Sequence, residues 1–121
     1  MNQIQNPKQF DLEDRTFQFA KNTTLYVKQL PKNISNLEYG KQVIGSSGSV
    51  GANYIEANEA LSKKDFIMRI KICRKEAKES AYWLRLIVET NDEKYKPEGI
   101  RLFNEAVELK KIFSSILIKS D

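Results

Sequence analysis

Between residues 66 and 87 the apolar or small side chains Phe66, Ile70, Cys73, Ala77, Ser80, Leu84 and Ile87 recur in alternating steps of four and three. An α-helix brings such positions onto one face, and the same alternation is the seam of helix-bundle packing. Leu102, Ala106, Leu109, Phe113 and Ile116 repeat the pattern, widened by Phe103, Val107, Ile112 and Leu117. An earlier segment places Phe17, Ala20, Thr24 and Val27 on one stripe, with Phe10 and Leu12 ahead of it. A chain patterned this way over most of its length has few choices besides a bundle.

Punctuation sets the limits of the helices. Pro7 precedes the first pattern, Pro31 stops it after "LYVKQL", and Pro97 in "KPEG" stands where a last helix begins. "SNLE" sets Ser35 three residues before Glu38, a capping-box pattern, and "SKKD" sets Ser62 before Asp65. "TND" around Asn91 reads as a helix end and a turn. Four helices are predicted, over 11–30, 36–60, 63–90 and 98–119, joined by short loops and packed antiparallel as one domain spanning 1–121. A length of 121 residues with 40% hydrophobic and 30% charged composition suits such a domain.

The second helix carries "QVIGSSGSVGANYIEA", with Gly45, Gly48 and Gly51 among serines. A Walker loop ends in Lys-Ser or Lys-Thr, whereas here Ala52 and Asn53 follow the third glycine. A dinucleotide fingerprint needs a preceding strand and closer glycines. The four-three rhythm runs through instead, on Leu37, Gly40, Ile44, Ser47, Gly51, Tyr54 and Asn58, so a continuous helix is predicted. Each glycine costs such a helix about 1 kcal/mol against alanine, and close approach of another helix is the compensating gain. Gly45, Gly48, Ser49 and Ala52 lie beside the seam as a second narrow face. That face serves either packing within one bundle or contact between subunits. Asn53 and Glu56 border it and are further candidates for the subunit contact.

The chain has no histidine, which removes Ser-His-Asp and Cys-His catalysis and histidine metal ligation. Glu56, Glu59, Glu76 and Glu79 recur on the middle helices, but surface charge, or buried pairing with Arg69 or Arg74, explains them better than a metal site. No cofactor or metal is expected, and no enzymatic activity. The single Cys73 sits on the apolar seam as a small hydrophobe. The N-terminal "MNQIQNPKQF" has no signal-peptide pattern and no apolar run reaches membrane-spanning length, so a cytoplasmic protein is expected.

The net charge is +4. Lys64, Lys71, Lys78 and Arg85 recur every seven residues on the third helix, joined by Lys75, and Lys21 and Lys28 repeat the interval on the first, with Lys32 beyond. A ladder of cations on a rigid helix can follow a phosphate backbone. An ordinary solvated face, with Lys75 and Glu79 paired at i,i+4, is the competing account. Tyr82 and Trp83, beside Arg85, serve either base stacking or packing.

The order of elements also matters: "FQFAKNTTLYVKQLPKNI", then "QVIGSSGSVGANYIEANEALSKKDFIMRIKICRKEAKESAYWLRLI". Over most of the chain this resembles the bacterial four-helix-bundle family of 23S rRNA intervening-sequence proteins. The resemblance implies a left-handed up-down-up-down bundle that assembles into a homopentameric barrel, with no attached enzymatic activity. It also implies a link to nucleic acid. Genes of the family lie within ribosomal RNA intervening sequences, and a related protein assists a reverse transcriptase in diversity-generating retroelements. Family members commonly carry arginine where this chain has Gly45, so a phosphate contact from that position is not expected here. The resulting expectation is an accessory or scaffold protein. It would form a ring and bind RNA or DNA phosphates, with a reverse transcriptase or other nucleic-acid-processing protein as a further partner. The alternative is a structural or protein-interaction module that binds no nucleic acid.

Overall fold

A computed structural model describes residues 7–120, with side chains from Leu12 onward. It contains four long helices: α1 (Pro7–Gln29), α2 (Ile34–Asn58), α3 (Lys63–Thr90) and α4 (Lys96–Lys119), with a short 3-10 turn at Glu93–Tyr95 before α4. Among the described residues there is no strand. α1 begins four residues earlier than the predicted 11, and Phe10 lies outside the residues whose side chains are described.

Helices adjacent around the bundle are α1–α2, α2–α3, α3–α4 and α4–α1, which puts α1 diagonally opposite α3. Asn36 at the start of α2 exchanges two amide hydrogen bonds with Asn91 at the end of α3, at 2.9 and 2.8 Å. At the other end, Arg69 early in α3 donates to Asn53 Oδ1 late in α2 at 2.9 Å. These two helices therefore run in opposite directions. α1 and α4 do the same: Tyr26 Oη donates to the Tyr95 carbonyl at 2.9 Å, and Arg15 makes a two-pronged pair with Glu105 at 2.7 and 2.8 Å.

The cap of α2 differs from expectation. Asn33, not Ser35, is the N-cap, its side chain accepting from the Asn36 N–H at 2.9 Å, while Ser35 sits inside the helix and donates to Asn33 Oδ1. Asparagine is among the strongest N-caps and here comes right after the Pro31 break. Ser62 caps α3 as predicted, accepting from the Asp65 N–H at 3.0 Å, and Asn91 is the C-cap of that helix.

The seams of α3 and α4 lie where the rhythm put them: Ile70, Cys73, Ala77, Ser80, Leu84, Ile87, Leu102, Ala106, Leu109 and Phe113 are all buried, with Phe66 and Ile116 packed against them. In α1 the buried column is displaced by one residue, running through Leu12, Thr16, Phe19, Thr23, Tyr26 and Leu30. In α2 it keeps the predicted Gly40, Ser47 and Tyr54 but takes Asn36, Val43, Val50 and Ala57 in place of Leu37, Ile44, Gly51 and Asn58. The predicted residues outside those columns are shoulders along which α1 and α2 face each other. Val27 meets Gly40, and Thr16 meets Gly51. The outer edges of those shoulders stay in solvent, with Phe17 and Leu37 each 60% exposed.

Thr23 is fully buried, and its hydroxyl has no hydrogen-bond partner among the described residues. Thr16, two turns earlier in the same column, returns its hydroxyl to the Leu12 carbonyl at 2.9 Å. A buried hydroxyl without a partner costs roughly 1–3 kcal/mol. Thr23→Val keeps the shape and removes that cost, so chemical denaturation should show a gain of about 1 kcal/mol.

Candidate nucleic-acid interface

Continuity of α2 decides the role of its glycines. The helix is unbroken from Ile34 to Asn58 and no residue described has positive φ, so this is a rod and not a ligand-gripping loop. Its glycines divide into two kinds. A Cβ on Gly40 would stand 2.6 Å from Val27 Cγ1, and one on Gly51 would stand 3.1 Å from Thr16 Oγ1. Those two let α1 approach. A Cβ on Gly45 or Gly48 would meet nothing within 4 Å. Packing within the bundle therefore accounts for the first pair and not the second. Gly45, Gly48, Ala52 and Glu56 are exposed and Ser49 is half-buried, with exposed Leu37, Ile44 and Ile55 nearby on the α1 side. Asn53 is set apart from these: its amide donates to the Ser49 carbonyl at 2.9 Å and accepts from Arg69.

Every cation proposed for nucleic acid is exposed: Lys64, Lys71, Lys75, Lys78 and Arg85 on α3, and Lys21 and Lys28 on α1. The α3 set belongs to the helix's outermost row, Lys64, Met68, Lys71, Lys75, Lys78, Tyr82, Arg85 and Glu89, again in steps of four and three. From Lys64 to Arg85 that row is about 30 Å long at 1.5 Å per residue. None of its five cations makes an ion pair within 4.0 Å among the described residues, so the expected Lys75–Glu79 pair does not form. Lys21 and Lys28 sit on the helix diagonally opposite, so the two basic stripes are separate surfaces.

The aromatic pair splits by role. Trp83 is half-buried, stacked on Tyr39 of α2 at 5.9 Å between centroids, and its indole N–H donates to Glu79 Oε2 at 3.2 Å. Tyr82 is 58% exposed and meets Trp83 edge-on, with centroids 5.1 Å apart. Sequence spacing could have found this division, because 82 falls on the outward row and 83 on the shoulder toward α2.

The remaining polar groups are structural. Arg69 bonds Asn53 and forms no carboxylate pair within 4.0 Å, and neither does Arg74, so the suggested buried pairs with glutamate are absent among the described residues. Burial, with Glu79 nearby, raises the Glu76 carboxyl above the ordinary range, while Lys75 opposes that shift. Among the described residues no group of three or more carboxylates or thiols is placed to hold a metal ion, and no helix is long and apolar enough to cross a membrane.

Cys73 is buried, donates to the Val50 carbonyl at 3.4 Å, and burial pushes its thiol from 9.0 up to about 12. Burial likewise pushes the Tyr26 phenol from 10.0 up to about 12, helped by Glu98 and Tyr95. The fold favours the protonated form of both groups. Their stabilising contribution is complete below the unfolded-state values and is lost as pH climbs toward the folded ones. The thermal midpoint, followed by circular dichroism, should hold to about pH 9 and then fall steadily toward pH 12.

Comparison with known proteins agrees with this architecture. No curated protein matches the chain. A solved structure does: a protein of unknown function from the S23 ribosomal protein family of Bacteroides thetaiotaomicron, 32% identical, with a TM-score of 0.71 over 87% of this chain and 96% of that one. The profile of the 23S rRNA-intervening sequence proteins matches residues 8–115. With nearly its whole length matched and its four-helix fold shared, this chain belongs to the 23S rRNA-intervening sequence protein family.

Proposed function

We propose that this protein is a non-enzymatic accessory or scaffold of nucleic acid, holding RNA or DNA by its phosphates against the outer face of α3. The observation that carries this reading is the exposed row of Lys64, Lys71, Lys75, Lys78 and Arg85, free of ion pairs among the described residues. An unpaired cation on a rigid surface is available to displace counterions from a phosphate chain. Family membership supports the same direction. Lys21 and Lys28 form a second contact on the opposite side of the bundle, suited to another strand or another segment of the same one.

The protein acts as a ring, with the Gly45, Gly48, Ser49, Ala52 and Glu56 face seated on a neighbouring copy. Five copies fit the family resemblance, and each would repeat the α3 row around the ring. Support comes from the open space over Gly45 and Gly48 and the exposed apolar residues beside them. The working compartment is the cytoplasm, and a reverse transcriptase or other nucleic-acid-processing protein is the natural protein partner. One observation favours a second reading, a protein-interaction module without nucleic acid: Leu37 at 60% and Ile55 at 51% exposure form an apolar surface suited to a protein. A gel-shift titration with generic RNA at low salt separates the two. Retarded RNA is the expected result, and free RNA at micromolar folded protein overturns the nucleic-acid reading.

A further inference from the structure

We propose that the nucleic acid held on α3 is single-stranded, and that Tyr82 stacks on one of its unpaired bases. This inference rests on the nucleic-acid reading above. The outward row is not purely cationic. Tyr82 stands within it, one turn from both Lys78 and Arg85, and is 58% exposed. A large aromatic ring in that position gains little from the fold. Its partner Trp83 meets it at an interplanar angle of 75°, and Trp83 is itself fixed by stacking on Tyr39 and by its bond to Glu79. The edge-on contact steadies the Tyr82 ring while leaving much of it in solvent.

Phosphate contacts alone do not select a single strand, because a duplex presents phosphates at even higher density. Stacking does. In a duplex the base faces are covered by their neighbours, so an exposed tyrosine finds none to cover. In a single strand they are free, and aromatic stacking of this kind contributes about 1–3 kcal/mol per base. Cations one turn away on either side hold the flanking phosphates while the ring takes the base between them. Glu79 makes no ion pair with these cations within 4.0 Å among the described residues and is turned instead to the Trp83 indole N–H. Glu89 closes the row beyond Arg85 and limits the contact at that end.

The test compares a labelled oligouridylate with an RNA duplex of the same length, by fluorescence anisotropy at low salt. Wild type, Tyr82→Ala, Tyr82→Phe and Lys78→Gln are measured, with circular dichroism of each to confirm the fold. Tyr82→Ala should weaken single-strand binding about tenfold, from the stacking energy above, and leave duplex binding unchanged. Tyr82→Phe keeps the ring and should bind as wild type does. Lys78→Gln should weaken both ligands alike. Single-strand binding by Tyr82→Ala within twofold of wild type overturns the inference, and so does equal weakening on strand and duplex. Wild type that binds neither ligand overturns the nucleic-acid reading itself.

Discussion

Replacing Lys71, Lys78 and Arg85 together by glutamine should lower RNA affinity about a thousandfold and leave thermal stability nearly unchanged. A hydrogen bond to a charged group contributes about 1.5–3 kcal/mol, so each lost phosphate contact weakens binding roughly tenfold or more. The three side chains are spaced seven residues apart, about 10 Å along the helix, far enough for their effects to add. Stability is spared because all three are exposed and none makes an ion pair within 4.0 Å among the described residues. Isothermal titration with a single-stranded RNA, beside a melting curve, checks both halves. An affinity loss under threefold would move the contact surface off α3.

Two leucine substitutions in α2 should have opposite consequences. Gly40→Leu drives a Cβ to within 2.6 Å of Val27 Cγ1. Valine is stiff in a helix and cannot simply turn aside. Overpacking of this kind costs typically 1–3 kcal/mol, and leucine is large, so a loss near 3 kcal/mol is expected, or roughly 10 °C in melting temperature. Gly48→Leu meets nothing within 4 Å inside the chain. It removes the helix penalty of glycine, worth about 1 kcal/mol, and the isolated bundle should melt no lower. On the proposed subunit face, however, the same side chain blocks a neighbouring copy. Light scattering should report about five times the 14.0 kDa chain mass for wild type and a smaller species for Gly48→Leu. An unchanged mass in that variant places the subunit contact elsewhere.

The legible parts of this fold were those in which one apolar column dominates a helix. In α3 and α4 the hydrophobic side chains and the core coincide, so the seam could be read from spacing. In α1 and α2 they do not. Their buried column includes Thr16, Thr23, Asn36 and Ser47, while Phe17, Leu37 and Ile44 lie outside it. Hydrophobic side chains there occupy both the core column, as at Phe19, Tyr26, Val43 and Val50, and the shoulder beside it, so spacing alone did not choose between them. The small size of Gly40 and Gly51 is what lets the backbones of α1 and α2 close on each other. Sequence spacing did separate Gly40 and Gly51, on the seam, from Gly45 and Gly48 beside it; that the first pair meets α1 and the second meets nothing inside the chain depends on where the neighbouring helices lie. The basic rows on α1 and α3 were both visible as heptad intervals. Their location on diagonal helices, and hence on separate surfaces, is a property of the packed bundle. Tyr82 and Trp83 are adjacent in sequence, yet one step of helical rotation places one in solvent and the other against Tyr39.

The salt dependence of binding to a single-stranded RNA tests the role of α3 most directly. Five cations, each releasing about 0.7 counterion from a single strand, predict a slope near −3.5 in log K against log salt. The glutamine triple variant removes three of them and should flatten the slope to about −1.4 by the same rule. A wild-type slope near zero, or the same slope in the variant, would contradict the account.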